Sequence, residues 1–233
     1  MKSNKKIAAF FDFDGTIYDG VITFNFLKFL LRKRDIRRGM GLKDALKLLS
    51  LIIYYMMDKL NLAEREQLSK KAYGNIKGID SNLFKRYADE FFKNEYSNKF
   101  FPEMIRILDA HKKKSHKVII VTSALREIIA PVNKLIEIDG IIAAEVGSDN
   151  GIYNGMIKKL PVGKSRIKII REYCKINGII LKKSYAYSDH HSDIPLLENS
   201  GNPVAVNPDG KLKSYAEKKG WRIMEVFLCL CQL

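Results

Sequence analysis

The sequence predicts an α/β protein: a parallel sheet layered between helices, interrupted near its start by an all-helical insertion. Three observations predict it. "KIAAFFDF" (residues 6–13) is a continuous apolar run closed by Asp14-Gly15, as a strand buried on both faces should be. Residues 21–98 repeat apolar side chains at helical spacing and show no strand pattern. Beyond Pro102, short apolar runs alternate with amphipathic stretches, the signature of parallel βαβ units.

Taken in order, the opening strand leads into "FNFLKFLLRK", "DALKLLSLIIYYMMDKL", "AEREQLSKKAY" and "NLFKRYADEFFKNEY", roughly four helices separated by Gly39, Gly41, Gly74 and Gly78. A helix at about 102–114 precedes "HKVIIVTSA", a second buried strand with a polar end. "LREIIAPVNKL" reads as a helix that Pro131 kinks or ends. "IIAAEV", the turn "GSDNG" and "IYNGMI" predict a hairpin, and "KSRIKIIREYCKING" a helix closed by Gly178. "SYAYSD" is a short strand, "DIPLLENSG" a short helix, "PVAVN" a strand and "KLKSYAEKKG" a helix. The domain boundaries follow: a core from 1–20 and 99–233, and a helical cap from 21–98.

At 233 residues, with 46% hydrophobic and 29% charged residues, the chain is a globular protein rather than a disordered one. Its net charge of +15 suits an anionic partner without choosing among phosphorylated metabolites, nucleic acid and acidic membrane. Cys174, Cys229 and Cys231 are odd in number and lack zinc-site spacing, so a reducing, cytoplasmic setting is expected. The basic, then apolar N-terminus is broken by Asp12, which argues against a signal peptide. "LLSLIIYYMM" is too short to span a bilayer, which takes about 20 residues.

Ligands of open α/β sheets bind beyond the carboxyl ends of the strands. Three of the predicted strands end in polar residues: Asp12 with Asp14, Thr122 with Ser123, and Ser188 with Asp189. The sheet would gather them at one edge. Two buried acids as close as Asp12 and Asp14 call for a cation or a proton between them.

With these residues, the chain resembles the haloacid dehalogenase superfamily, in its phosphoserine-phosphatase-like branch with a helical cap after the first strand. "DFDGT" is similar to the family's D-x-D-G-T motif and "VTSA" to its short Ser/Thr motif. Gly163-Lys164 stands where the family carries a lysine, and "YSDHHSDIPLLENSGNPVAVNPDGKLKSYAEKKGW" resembles the acidic motif and the chain beyond it. The resemblance implies a Rossmann-like core and a Mg²⁺-dependent phosphatase. Asp12 would be the nucleophile and Asp14 the general acid and base. Asp12, the Asp14 carbonyl and Asp189 would hold Mg²⁺, with Asp193 supporting or binding it directly. Thr122 and main-chain N–H groups near Ser123 and Gly15 would bind the phosphoryl oxygens. Lys164 would neutralise Asp12 and the phosphoryl group.

Each assignment has a plainer alternative. Thr122 or Ser123 could cap a helix, Asp193 could cap the one after it, and Lys164 is one of 41 Lys and Arg, with Lys158 and Lys159 its nearest rivals. His190 and His191 lie between the two acids of the last motif and are expected to be loop residues rather than metal ligands.

The chain also departs from the branch. Phosphoserine phosphatases carry a glutamate a few residues past the first motif. Here Val21 stands there, with Asp19 the nearest acid, and Ser192 replaces an asparagine. The expected substrate is therefore a phosphorylated small molecule other than phosphoserine. The alternatives are a lipid phosphate met at the membrane surface through an aromatic, aliphatic and basic cap, phosphoryl transfer between small molecules, and a non-enzymatic RNA-binding or regulatory role. Nothing in the sequence resembles an RNA-binding motif, so nucleic acid is not the expected partner.

Overall fold

A computed structural model describes residues 5–33, 42–59, 64–95 and 97–228. Cys229 and Cys231 lie outside them, and Cys174 is a free, buried thiol.

The first strand, β1 (Ala8–Asp12), is buried at every position, as its unbroken apolar sequence requires. It lies at the centre of a seven-stranded sheet with β2 (Lys117–Leu125), β3 (Gly140–Asp149), β4 (Ile152–Lys159), β5 (Tyr185–Ser188), β6 (Asn202–Val206) and β7 (Arg222–Met224), in the order β4-β3-β2-β1-β5-β6-β7. All neighbours are parallel except β3 and β4, an antiparallel hairpin turned at Asn150 and Gly151, both with positive φ. Because β1, β2 and β5 are adjacent, the polar ends of all three predicted strands share one edge.

Alternate residues of β1 feed different cores. Ala8 and Phe10 pack with Ile119, Val121 and Ala186 under α7 (Gly163–Asn177), α8 (Ile194–Asn199) and α9 (Gly210–Lys219). Ala9 and Phe11 face the opposite side, where α5 (Pro102–Lys113) lies with Met104 and Leu108 buried. This is the expected three-layer arrangement.

Among the described residues, four α-helices lie between β1 and α5: α1 (Ile22–Arg32), α2 (Leu42–Lys59), α3 (Arg65–Asn75) and α4 (Ser81–Glu95). The helical character of these segments follows the apolar periodicity. Phe26 of α1 meets Phe84 and Phe91 of α4, each at 5.6 Å between ring centroids, in a core continuous with one face of the sheet. The segment with Pro131 divides as its proline requires: α6 (Arg126–Ile129) stops, and 130–134 continues as a 3₁₀ turn. Strand β7 was not among the predicted elements; three residues are too few to show a period. Among the described residues no helix is long and apolar enough to cross a membrane.

Candidate active site

Asp12 is the last residue of β1, in register with Val121 of β2. Beyond it the chain reverses tightly. The N–H groups of Ile17 and Tyr18 both donate to the Phe13 carbonyl at 3.0 Å, and Gly15 N–H donates to the Tyr18 carbonyl at 2.8 Å. Gly15 has φ +78°, and a Cβ there would lie 2.2 Å from Oδ2 of Asp189. Only glycine satisfies both the turn and the close approach of the acid. The resemblance assigns main-chain N–H groups near Gly15 to a phosphoryl oxygen. The Gly15 N–H itself bonds Tyr18, so a phosphoryl oxygen would be met by the neighbouring N–H groups, and Gly15 contributes space. Asp14 reaches the other way, its Oδ1 accepting from the N–H of Ile22 at the start of α1 (2.8 Å), one of the donors a helix leaves free.

The cation beside Asp12 is Arg166, not Lys164. Arg166, the fourth residue of α7, is buried and ion-paired through its two terminal nitrogens to Asp12 and Asp193. It also donates to the Val121 carbonyl at 2.6 Å. Lys164 is exposed and forms no ion pair among the described residues. Two residues correspond to about 200° of helix rotation, so only one of these cations can face the sheet. Of the rivals, Lys159 pairs with Glu145 at 3.0 Å, away from the acids. The missed signal was the apolar stripe of α7: Arg166, Ile170 and Cys174, spaced by four, are its buried residues. An arginine on a buried face requires carboxylate partners.

Thr122 is buried, and its Oγ1 accepts from Ala124 N–H at 3.1 Å. Its hydroxyl hydrogen remains available to an anion. Strand β2 continues to Leu125, so neither Thr122 nor Ser123 caps a helix. The Ser123 carbonyl accepts from the hydroxyl of Tyr73 on α3, which ties the inserted helices to the site.

The loop after β5 completes the edge. Asp193 stands at the N-cap of α8 without capping it. Its carboxylate instead accepts from Ser188 Oγ at 2.5 Å and pairs with Arg166. Asp209 braces the loop: its Oδ2 accepts from His191 N–H at 3.0 Å, its Oδ1 from Leu212 N–H at 2.7 Å, and its own N–H donates to the Asp189 carbonyl at 2.8 Å. Arg65, from α3, lies with Nη1 3.2 Å from His190 Nδ1 and 3.3 Å from Ser192 Oγ.

His190, His191 and Asp209 are close enough to suggest a metal cluster. Their hydrogen bonds say otherwise. Ser192 N–H donates to His190 Nδ1 at 3.2 Å, and Arg65 points a donor at the same atom, so the ring proton sits on Nε2, the remaining atom a metal would use. Burial, and then Arg65, push the His190 pKa down to about 4, so it stays neutral.

The four carboxylates differ in their electrostatics. Burial raises Asp12, against the lowering effect of Arg166. Burial, with Asp12 adding to it, pushes Asp14 up to about 7. Asp189 is raised well above the ordinary carboxylate range by burial and then by the charges of Asp12 and Asp193. Asp193 is also buried, yet Arg166 and Ser188 hold it below that range. Asp189 forms no ion pair among the described residues. A half-buried carboxylate without an ion-pair partner, beside Asp12 and the Asp14 turn, fits a hard divalent ion with oxygen ligands. The acid set therefore suits Mg²⁺, whereas the histidine cluster does not.

Comparison with known proteins agrees with this geometry. The family model of the haloacid dehalogenase-like hydrolases matches residues 9–198. The "inhibition of morphological differentiation protein" of Streptomyces azureus is 28% identical over 221 residues, spanning 94% of this chain and 78% of that protein. A phosphoserine phosphatase of Mycobacterium tuberculosis is 26% identical over 225 residues, spanning 94% and 70%. A histidinol-phosphatase of Neisseria meningitidis is 27% identical over 243 residues, spanning 94% and 98%. A solved structure of a Bordetella pertussis protein of unknown function shares the fold, with a TM-score of 0.81 at 21% identity over 96% of this chain and all of that one.

Proposed function

Since the chain belongs to the haloacid dehalogenase-like hydrolase family and is a phosphatase, we propose that it hydrolyses small phosphate monoesters with Mg²⁺ through a phosphoryl group carried on Asp12. The observation that carries this reading is the buried pair of Asp12 and Arg166 beside Asp14, a nucleophile, a cation and a proton carrier at one strand end.

In this reading the Asp12 carboxylate attacks phosphorus as the ester P–O bond breaks. Arg166 offsets the repulsion between that carboxylate and the anionic substrate, and the Thr122 hydroxyl donates to a phosphoryl oxygen. Asp14, held near a pKa of 7 in the metal-free protein, gives its proton to the departing alkoxide. It then takes one from the water that cleaves the Asp12–phosphorus bond and releases phosphate. Asp12, the Asp14 carbonyl and Asp189 would hold Mg²⁺, and Asp193 would fix Arg166. When bound, the ion neutralises the acids and polarises the phosphoryl group.

Residues 21–98 act as a cap that shields the reaction from water, with Tyr73 and Arg65 as their inner contacts. Val21, at the N-cap of α1, supplies no carboxylate for an amino group, which supports a substrate other than phosphoserine. A cytoplasmic setting belongs to the same reading and rests on the cysteine usage.

Hydrolysis of p-nitrophenyl phosphate with and without Mg²⁺, in wild type and Asp12→Asn, tests this. Metal-dependent turnover lost by at least about 10³-fold in the variant is expected. Turnover that survives the substitution would remove Asp12 from the mechanism.

A further inference from the structure

A cleft open to solvent lies between α1, α2 and α3, with Ser123, on the edge that carries the acids, among its lining residues. Its inner end is polar. Tyr73 bonds the Ser123 carbonyl there, and Arg65 reaches on to His190 and Ser192. Away from that end the character changes. Phe24 and Leu27 of α1 face Leu51, Ile52 and Tyr54 of α2, with Leu68 and Ala72 of α3 beside them. Among the described residues that line the cleft none is acidic, and Thr23 and Ser69 are the small hydroxyls on its walls.

Two halves of a substrate would therefore meet two environments. A phosphoryl group belongs at the inner end, among the cations and hydroxyls. An ammonium, sugar or carboxylate leaving group would lie along aliphatic and aromatic walls, giving up water for almost no hydrogen bonds. An apolar leaving group would instead displace water from apolar surface.

We propose that the natural substrates are phosphate monoesters with an apolar leaving group, an alkyl chain or a ring, seated between Phe24 and Leu27 of α1 and Leu51 and Ile52 of α2. This deepens the phosphatase reading and rests on it.

The same chemistry has two sources, a free amphiphile and a lipid held in a bilayer. The outer side of α2 bears on the second. Leu46, Leu49, Ile53 and Met56 lie along one helical stripe and are 45–55% exposed on a chain of net charge +15. That stripe could meet an anionic surface while the inner side of the helix lines the cleft.

Two readouts test the proposal. The first is the affinity of n-alkylphosphonates, propyl to octyl, with Mg²⁺ present. The expected result is a Kd that tightens by about two- to fourfold per methylene. A Kd independent of chain length overturns the proposal, whatever the turnover. The second is kcat/KM for the matching alkyl phosphates against O-phosphoserine. Chain-dependent binding with no turnover of any ester would sink the phosphatase reading while leaving the apolar seat in place. Efficient phosphoserine turnover beside poor turnover of octyl phosphate overturns the proposal.

Ile52→Asn and Phe24→Ala should each flatten the gain per methylene, with thermal melts confirming that both variants fold. A retained slope in both would overturn the assignment of these walls. Leu46→Ser, on the exposed side of α2, keeps the full slope for soluble esters; a slope lost there would show that the effect does not come from the cleft. With the octyl ester in vesicles rich in anionic lipid, Leu46→Ser/Ile53→Ser reports the source. A drop of about tenfold there alone assigns a bilayer, and an unchanged rate assigns the free amphiphile; both outcomes uphold the seat.

Discussion

Arg166 on α7 is ion-paired to Asp12 at the end of β1, and both side chains are buried. The pair joins residues 154 positions apart and fixes the carboxylate with respect to the sheet. The second terminal nitrogen of the same guanidinium holds Asp193, so one side chain links the end of β1 to the residue that opens α8. A planar fork with several donors can do this, and a single ammonium cannot bind both acids with the same geometry.

Replacing that fork should therefore cost more than its charge. Arg166→Met is expected to lower kcat by about 10²- to 10³-fold. It should also destabilise the metal-free fold by about 3 kcal/mol, since two buried carboxylates lose their partner. Arg166→Lys should recover part of the rate but not wild-type activity. Lys164→Ala should remain within about twofold of wild type. Steady-state kinetics and urea melts on the three variants check this, and a Lys164→Ala loss as large as that of Arg166→Met would reverse the assignment.

Gly15→Ala places a methyl group against the Asp189 carboxylate in a turn whose φ of +78° already disfavours any side chain. The acid must move. Titration calorimetry should show Mg²⁺ affinity reduced by about tenfold or more, with activity falling in parallel. Unchanged Mg²⁺ affinity would mean that Asp189 does not hold the ion.

Mg²⁺ affinity should also weaken as pH falls. Burial raises Asp12 and Asp189 above the ordinary carboxylate range and lifts Asp14 to about 7. Protons thus compete for the site at pH values where exposed carboxylates would be free of them. Binding should release protons, and affinity should rise with pH across the range in which these acids lose theirs. Calorimetry in buffers of different ionisation enthalpy measures that release directly. A pH-independent Kd between 5 and 7 would contradict it.

Stability should respond to His111, far from the acids. It is buried on α5 and bonded to Tyr187 Oη at 2.8 Å, and burial, with His116 and Lys114, lowers its pKa to about 4. Between about 6.5 and 4 the unfolded chain binds a proton here that the folded chain refuses, so this contribution is full above 6.5 and is lost as pH falls. The raised Asp14 acts in the opposite sense over part of that range, because its folded form holds a proton that the unfolded form releases. The difference between wild type and His111→Gln isolates the histidine. The Tm gap should narrow from pH 7 to pH 4, and a constant gap would refute the linkage.

The strand ends were legible because a run such as "AAFFD" shows both its burial and its polar terminus locally. The adjacency of β1, β2 and β5 then brought Asp12, Thr122 and Asp189 to one edge. Arg166 was harder to see. Sequence position favoured Lys164 after Gly163, and only the phase of α7, set by Ile170 and Cys174, separates the inward cation from the outward one. Arg65 and Tyr73 gave no signal at all. Their contacts cross 127 and 50 residues between α3 and the sheet, and no local pattern encodes such a separation.

The choice of guanidinium over ammonium also sets how the enzyme should behave in alkali. A buried lysine can lose its proton a few units above neutrality, and an enzyme built on one then loses its positive charge. Asp193 and Asp12 hold Arg166 in the opposite direction, strengthening a charge that is already permanent. The positive end of this site should therefore persist as long as the fold does, and any alkaline decline in rate belongs to the proton on Asp14.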